Sequence, residues 1–477
     1  MSERGSISFL DGMMDRTLGR LRSAWRDIAG QALGAWSSPL PRPELTGEDM
    51  QRMREQLRAC LEGRGGEVAA RARAAELGRS YLALNATGRE RFLRLLADEF
   101  DVDRGAIAAA ASRFLQASSQ RDKEAAEAAL RVALEAPRVR LLTQFNALPE
   151  GVKFLVDMRA ELMALARNDR VLGGLERDLK ALLRGWFDIG FLELRRITWQ
   201  SPAALLEKLT AYEAVHEIRS WADLKNRLEA DRRCFAFFHP RMPDEPLIFV
   251  EVALVQGIAG DIHALLDEAA PVGDPRGADT AIFYSISNCQ PGLAGISFGN
   301  FLIKRVAGDL ASELPHLKTF ATLSPIPGFR AWLDPKLASE EATLLTAAER
   351  KAIAELPGER GANGLAGLIA DPRWHEDPAA AQAMKAPLMR LAARYLLAEK
   401  GSKDRVLDPV EHFHLTNGAR VERLDWLADR SAKGRQQSAG IMVNYLYRLD
   451  EVEESHAAYT EQGTVAASSA LRTLARL

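Results

Sequence analysis

The sequence predicts an α+β protein: an all-helical N-terminal bundle followed by a mixed α/β domain that carries a helical insertion. Two changes of texture along the chain predict it. Residues from about 45 to 190 are dominated by Ala, Leu, Arg and Glu, all good helix formers. After Trp186 the chain turns to short runs of β-branched and aromatic residues bounded by Pro and Gly, which is the chemistry of strands and turns. These changes put the boundary at 188/189, with residues 1–188 helical, 189–477 mixed, and the insertion at about 336–400.

The elements follow in order. The first thirty residues are basic and amphipathic (Phe9, Leu10, Met13, Met14, Leu18, Leu21, Trp25), as in a transit peptide, but Glu3, Asp11, Asp15 and Asp27 are atypical of one. A frayed leading helix is expected there. Thr87-Gly88-Arg89-Glu90 has the spacing of a capping box before Phe92, Leu93, Leu96 and Phe100. A helix over Arg121–Ala136 stops at Pro137, and another covers Val152–Ala166. In the second half, Cys234–Phe238 and Leu247–Leu254 are strand-like, joined by a stiff hairpin-like loop, His239–Pro246. Thr280–Ser287 is a strand. Leu302, Val306, Leu310 and Leu314, four residues apart, make Phe301–Leu314 an amphipathic helix, and Thr319–Leu323 is the next strand. Glu340–Ala354 and Ala379–Lys400 supply the helices of the insertion. Asp408-Pro409 can open a short helix bearing Glu411, His412, Phe413 and His414, which Asn417-Gly418 would end. Ser438–Leu449 contains one more strand.

Composition narrows the function classes. A 47% hydrophobic content is that of an ordinary globular protein, and 63 Lys and Arg against 65 Asp and Glu leave a net charge of −2. Nothing in that balance suits nucleic acid or a membrane surface, so an anion site must be local. The three cysteines, Cys60, Cys234 and Cys289, form no CxxC pair, which argues against a disulfide framework or a structural zinc and fits a reducing cytoplasm. No apolar run reaches the eighteen or so residues of a membrane span. The last four residues, Leu474-Ala475-Arg476-Leu477, are not a peroxisomal Ser-Lys-Leu address.

Three segments carry candidate chemistry. Gln290–Asn300, between a strand and a helix, is rich in glycine, and its bare N–H groups at a helix N-terminus could hold a phosphate. The same spacing also suits a tight turn. Ser324 lies in Leu323-Ser324-Pro325-Ile326-Pro327-Gly328-Phe329, where the prolines give a rigid, extended presentation of the hydroxyl. A plain Ser-Pro turn has the same sequence. His414, near a helix stop, could orient a hydroxyl or move a proton, or could be a structural histidine. His412 and His414 lack the i, i+4 spacing of helical metal ligands, so no metal is expected. Ser285 and Tyr447, taken alone, look like core residues of strands.

Together, Phe237-Phe238-His239-Pro240 with Glu245-Pro246-Leu247, Phe283-Tyr284-Ser285-Ile286-Ser287, Gly299-Asn300-Phe301-Leu302-Ile303-Lys304-Arg305-Val306, Leu323–Phe329 and Phe413-His414-Leu415 with Asn417-Gly418-Ala419 resemble the malonyl-CoA decarboxylase family. Arg196-Ile197-Thr198-Trp199 with Ser201-Pro202, and Asn444-Tyr445 with Tyr447, match as well. The resemblance implies a helical oligomerisation domain, giving a homotetramer or homodimer, and a catalytic domain with the fold of the acetyl-CoA-dependent N-acetyltransferases. It implies CoA pyrophosphate binding at Ala294, Gly295, Ile296, Ser297, Phe298, Gly299 and Asn300, a catalytic pair at Ser324 and His414, and supporting roles for Ser285 and Tyr447. The implied reaction takes malonyl-CoA to acetyl-CoA and carbon dioxide through a thioester enolate, with no metal or organic cofactor. This chain has His412 where some relatives carry asparagine. An acyl-CoA N-acyltransferase on the same fold is the alternative enzyme, and a CoA-sensing scaffold the non-catalytic one.

Overall fold

The structure, a computed structural model, describes residues 23–29, 39–62, 66–296, 302–356, 364–401 and 404–476. Two compact units divide the chain. The first joins Met1–Glu193 to two later excursions, Phe238–Leu247 and Cys289–Phe298; the second holds Leu194–Phe237, Ile248–Asn288 and Gly299–Leu477.

The first unit is helical, as the sequence predicts: α1 (Glu48–Glu62), α2 (Gly66–Leu82), α3 (Ala86–Glu99), α4 (Arg104–Gln116), α5 (Gln120–Ala133), α6 (Pro137–Gln144), α7 (Gly151–Leu165) and α8 (Arg170–Trp186). Its core is aromatic. Trp25 is fully buried, meets Phe154 edge-on at 5.0 Å, and donates its indole N–H to the Pro149 carbonyl at 2.9 Å. Trp25 belongs to a helical stretch at 23–29; the rest of the expected leading helix lies outside the described residues. α8 buries Leu172, Leu175, Leu179 and Leu183, a stripe at three- and four-residue spacing that makes it an amphipathic cover. The expected capping box at Thr87 is replaced by a cap two residues earlier, where the Asn85 side chain accepts from Gly88 N. Asparagine before Ala86 is the better acceptor for the first turn.

The second unit is built on one eight-stranded mixed sheet, in the order β1 (Glu193–Ile197), β2 (Arg232–His239), β3 (Met242–Val255), β4 (Thr280–Asn288), β5 (Thr319–Thr322), β8 (Met442–Leu446), β6 (Ser324–Pro325), with β7 (Arg420–Asp425) also paired to β8. The hairpin differs from its prediction. Only Pro240 and Arg241 separate β2 from β3, so most of the expected loop is strand. Pro243 and Pro246 are tolerated because the register of β3 with β4 begins only at Ile248, and no ladder bond to β4 is lost at the prolines. Ser324 also departs from expectation: it lies in a short strand rather than a loop, with Ser324 opposite Val443 and Pro325 opposite Met442 of β8. The extended backbone that a following proline imposes is already strand geometry.

The helices of this unit include α9 (Ala203–Tyr212), α10 (Trp221–Asn226), α11 (Leu302–Glu313), α12 (Phe329–Leu344), α13 (Ala347–Ala354), α14 (Gly364–Ala370), α15 (Pro378–Leu397), α16 (Pro409–Thr416), α17 (Ala432–Ser438) and α18 (Val452–Gln462). α16 starts as the sequence predicts. Asp408 caps it by accepting from Val410 N and Glu411 N, Pro409 occupies its first turn, and Gly418 ends it with φ +78°. The second Asp408 oxygen accepts from Gly328 N at 3.0 Å, so one fully buried carboxylate fixes both the histidine helix and the segment that follows Ser324.

Asp408→Ala removes the cap and leaves the Gly328 N–H unpaired, at a combined cost of about 2–4 kcal/mol. Asp408→Asn keeps an acceptor, and less than about half of that loss is expected. Urea denaturation midpoints of the two variants check this; equal losses contradict the double role.

Candidate active site

The site forms where two parallel strands part. β4 and β5 pair over four residues, Thr280 with Thr319 through Phe283 with Thr322, after which β4 runs on to Asn288 without β5. At the parting point β4 bulges. Ser285 stands opposite Glu251 and Phe283 opposite Val252, which leaves Tyr284 as the extra residue and bends the strand. The chain meanwhile leaves β5 through Leu323 into Ser324, which pairs with β8. A cleft of about 280 Å³ opens in this fork, lined by Val215, Phe283, Tyr284, Ile286 and Asn288 on one side, and by Ser324, Pro325, Pro409, Val410, Phe413 and His414 on the other.

Ser324 and His414, ninety positions apart, meet in this cleft, with Ser324 Oγ 3.1 Å from His414 Nε2. The Ser324 and Thr322 hydroxyls share a 2.8 Å hydrogen bond, and Thr322 Oγ1 accepts the Tyr445 N–H at 3.1 Å. On the far side of the imidazole, Nδ1 lies 2.7 Å from Tyr447 Oη. The Tyr445 ring stacks on the imidazole with centroids 4.3 Å apart. Burial holds His414 neutral, pushing its pKa down to about 3, and it raises the Tyr447 phenol well above its ordinary value. His412 faces another way and bonds to Tyr459 Oη through Nδ1 at 2.7 Å.

Ser285 is not brought to this pair. Its hydroxyl donates to the Glu213 carboxylate at 2.8 Å, beside Ser287, whose hydroxyl lies 3.2 Å from the same group. Glu213 also accepts from Val215 N and His216 N, so the cluster holds the segment that gives the cleft its Val215 lip. Lys433 ties down the same segment through the Ala214 and Val215 carbonyls at 2.7 and 3.0 Å.

Of the expected phosphate loop, Ala294, Gly295 and Ile296 are described; Ser297, Phe298, Gly299 and Asn300 lie outside the described residues. The described part follows a 3₁₀ turn at Pro291–Leu293 and belongs to the first unit. There Arg159 of α7 donates to the Gly292 and Ala294 carbonyls, with Glu176 as its counter-ion. Sequence reasoning missed Thr322, Tyr445, Asp408, Glu213 and Arg159 as parts of these sites. Asp408 alone had a local signal, the Asp-Pro that opens a helix. Among the described residues no group of three or more His, Cys, Asp or Glu is gathered as a metal site, and no helix is long and apolar enough to cross a membrane.

Comparison with known proteins agrees in both halves. Residues 190–477 match the malonyl-CoA decarboxylase C-terminal domain and residues 100–187 the N-terminal domain. The mitochondrial malonyl-CoA decarboxylases of Rattus norvegicus and Anser anser anser are each 40% identical, over 82% and 81% of this chain and 82% and 80% of their own. Crystal structures of malonyl-CoA decarboxylases from Rhodopseudomonas palustris and Agrobacterium vitis superimpose with TM-scores of 0.80 and 0.81 at 42% and 43% identity, over 89% of this chain and 99% and 100% of theirs. These matches make the chain a carboxy-lyase. It belongs to the malonyl-CoA decarboxylase family.

The depressed His414 pKa has a measurable sign. The folded state keeps the imidazole neutral down to about pH 3, while the unfolded chain takes up the proton below its ordinary value of 6.5. His414 therefore contributes stability that is fully present above pH 6.5 and lost as the pH falls towards 3, by up to about 1.4 kcal/mol per pH unit. His414→Asn should lose stability less steeply than the parent between pH 7 and 5. Parallel slopes in denaturant titrations would mean the imidazole is already charged in the fold.

Proposed function

We propose that this chain decarboxylates malonyl-CoA to acetyl-CoA and carbon dioxide, with Ser324 delivering a proton to C2 of the thioester enolate and neither metal nor organic cofactor taking part. The observation that carries this reading is the buried chain of hydrogen bonds Thr322, Ser324, His414, Tyr447, which opens on the cleft at Ser324 and His414.

Counting protons assigns the donors. A neutral imidazole and three hydroxyls carry four protons, and three links join them. One proton must point elsewhere. It is the Thr322 proton, because Thr322 Oγ1 accepts from both Ser324 Oγ and Tyr445 N. Ser324 O–H donates to Thr322 Oγ1 at rest, which leaves Nε2–H to donate to Ser324 Oγ and Tyr447 to donate to Nδ1. Rotation of the Ser324 hydroxyl away from Thr322 turns its proton into the cleft, towards the substrate.

Loss of carbon dioxide breaks the bond between C2 and the carboxylate, and the electron pair passes into the enolate. Ser324 O–H protonates C2, and the resulting alkoxide is held by His414 Nε2–H, and by Thr322 O–H once that hydroxyl turns to donate, until water returns the proton. Beyond Phe283 the edge of β4 that faced β5 has no strand partner among the described residues, and its backbone N–H groups are candidates to hold the thioester oxygen as charge develops. Ala294–Asn300 would bind the CoA pyrophosphate, and the helical half would serve oligomerisation.

Incubation with malonyl-CoA alone, followed by mass spectrometry, should yield acetyl-CoA with no amine acceptor, which an N-acyltransferase would need. Ser324→Ala and His414→Asn should each lower kcat about 10²–10⁴-fold with modest loss of CoA affinity. Tyr447→Phe and Thr322→Val, which each remove one hydroxyl from the chain, should cost about tenfold. Parent-like kcat in both Ser324→Ala and His414→Asn would remove the pair from the mechanism.

A further inference from the structure

The loop at Pro291–Ile296 takes its supports from helices of its own compact unit. Arg159 fixes two of its carbonyls, and Gly292 comes so close to α7 that a Cβ there would stand 1.8 Å from the Val156 carbonyl oxygen. Lys180 of α8 reaches the same loop. A Cβ on Gly295 would lie 2.9 Å from Lys180 Nζ, so the ammonium rests against the Gly295 backbone, where φ is +71°.

Lys180 is half-buried, and among the described residues it has neither an ion-pair nor a hydrogen-bond partner. The two carboxylates nearest to it on α8 are committed elsewhere. Glu176, four residues earlier and placed for an i, i+4 pair, is bound to Arg159 at 2.7 Å, and Asp178 is bound to Arg138 at 2.7 Å. A cation partly withdrawn from water and denied its helical partner is a site for an external anion. The geometry points to Lys180 as a substrate-binding residue that pairs with the pyrophosphate of the CoA thioester. This rests on reading Ala294–Asn300 as the CoA loop.

Steady-state kinetics of the full chain with malonyl-CoA, malonyl-dephospho-CoA and malonyl-pantetheine, which lacks the pyrophosphate and nucleotide, test both steps. With Lys180→Ala, KM for malonyl-CoA should rise about 10–100-fold while kcat changes less than about threefold, because the lost contact is to a part of the substrate that does not react. Lys180→Arg should recover most of the loss. The same rise is expected with malonyl-dephospho-CoA, which keeps the pyrophosphate; its disappearance there would move the contact to the 3′-phosphate and overturn the assignment. Malonyl-pantetheine should show no rise in KM. If the parent prefers malonyl-CoA over malonyl-pantetheine and Lys180→Ala keeps that whole preference, Lys180 is not the ligand. If the parent itself shows no preference, the CoA-loop reading falls, and this proposal with it.

Discussion

The site depends on where β8 makes its hydrogen bonds. This strand pairs with both β5 and β6 on one side, through Leu446 to Ala321 and Val443 to Ser324, and with β7 on the other. It thereby takes over as partner of the chain at the point where β5 gives up β4. The fork in the sheet and the placement of the serine have this common cause. β8 also carries Asn444, whose side chain donates to the Thr322 carbonyl at 2.7 Å, Tyr445, which stacks on the imidazole, and leads into Tyr447, which bonds to it. Residues two apart on a strand share a face, so Tyr445 and Tyr447 reach the same histidine from one edge.

Helix α16 has to be delivered to that edge, and its capping does so. A helix of eight residues has little stability of its own. The Asp408 carboxylate replaces what length does not supply, satisfying two N–H groups of the first turn and, through Gly328, tying the helix to the Ser-Pro-Ile-Pro-Gly segment. Gly328 is required there: a Cβ would lie 2.2 Å from the Tyr395 hydroxyl and 3.2 Å from Asp408 Oδ2. The spacing of serine and histidine is thus set by backbone links on both sides of each residue.

What the sequence made legible was whatever is encoded locally. The helical half, the strands at Thr280 and Thr319, the Asp408-Pro409 start and the Asn417-Gly418 stop all follow from residues within one turn or strand of each other. Ser324 and His414 stood out by context, but their meeting is a contact between residues ninety apart with no local signature. The partner of Ser285 was illegible for the same reason. Its strand neighbours say nothing of Glu213, seventy-two positions earlier, which takes its hydroxyl. The hairpin prolines misled because a proline is disruptive only where a ladder bond is required, and that depends on where β4 begins to pair.

The charge state of the site bears on why the proposed relay consists of neutral groups. A malonyl carboxylate stabilised in the ground state by a cation would be harder to release as carbon dioxide, a neutral product that keeps none of that interaction. The cleft walls are mostly apolar, with Val215, Phe283, Ile286, Pro325, Val410 and Phe413 among them, and the imidazole is held uncharged by the same burial. On the proposed mechanism a neutral chain offers the carboxylate little and offers a developing alkoxide the proton on His414 Nε2. The difference in binding between the two states, rather than the strength of either, is what lowers a barrier. On the proposed mechanism, burial of His414 costs stability in acid and would favour the reaction at neutral pH, through one desolvation effect acting on one ring.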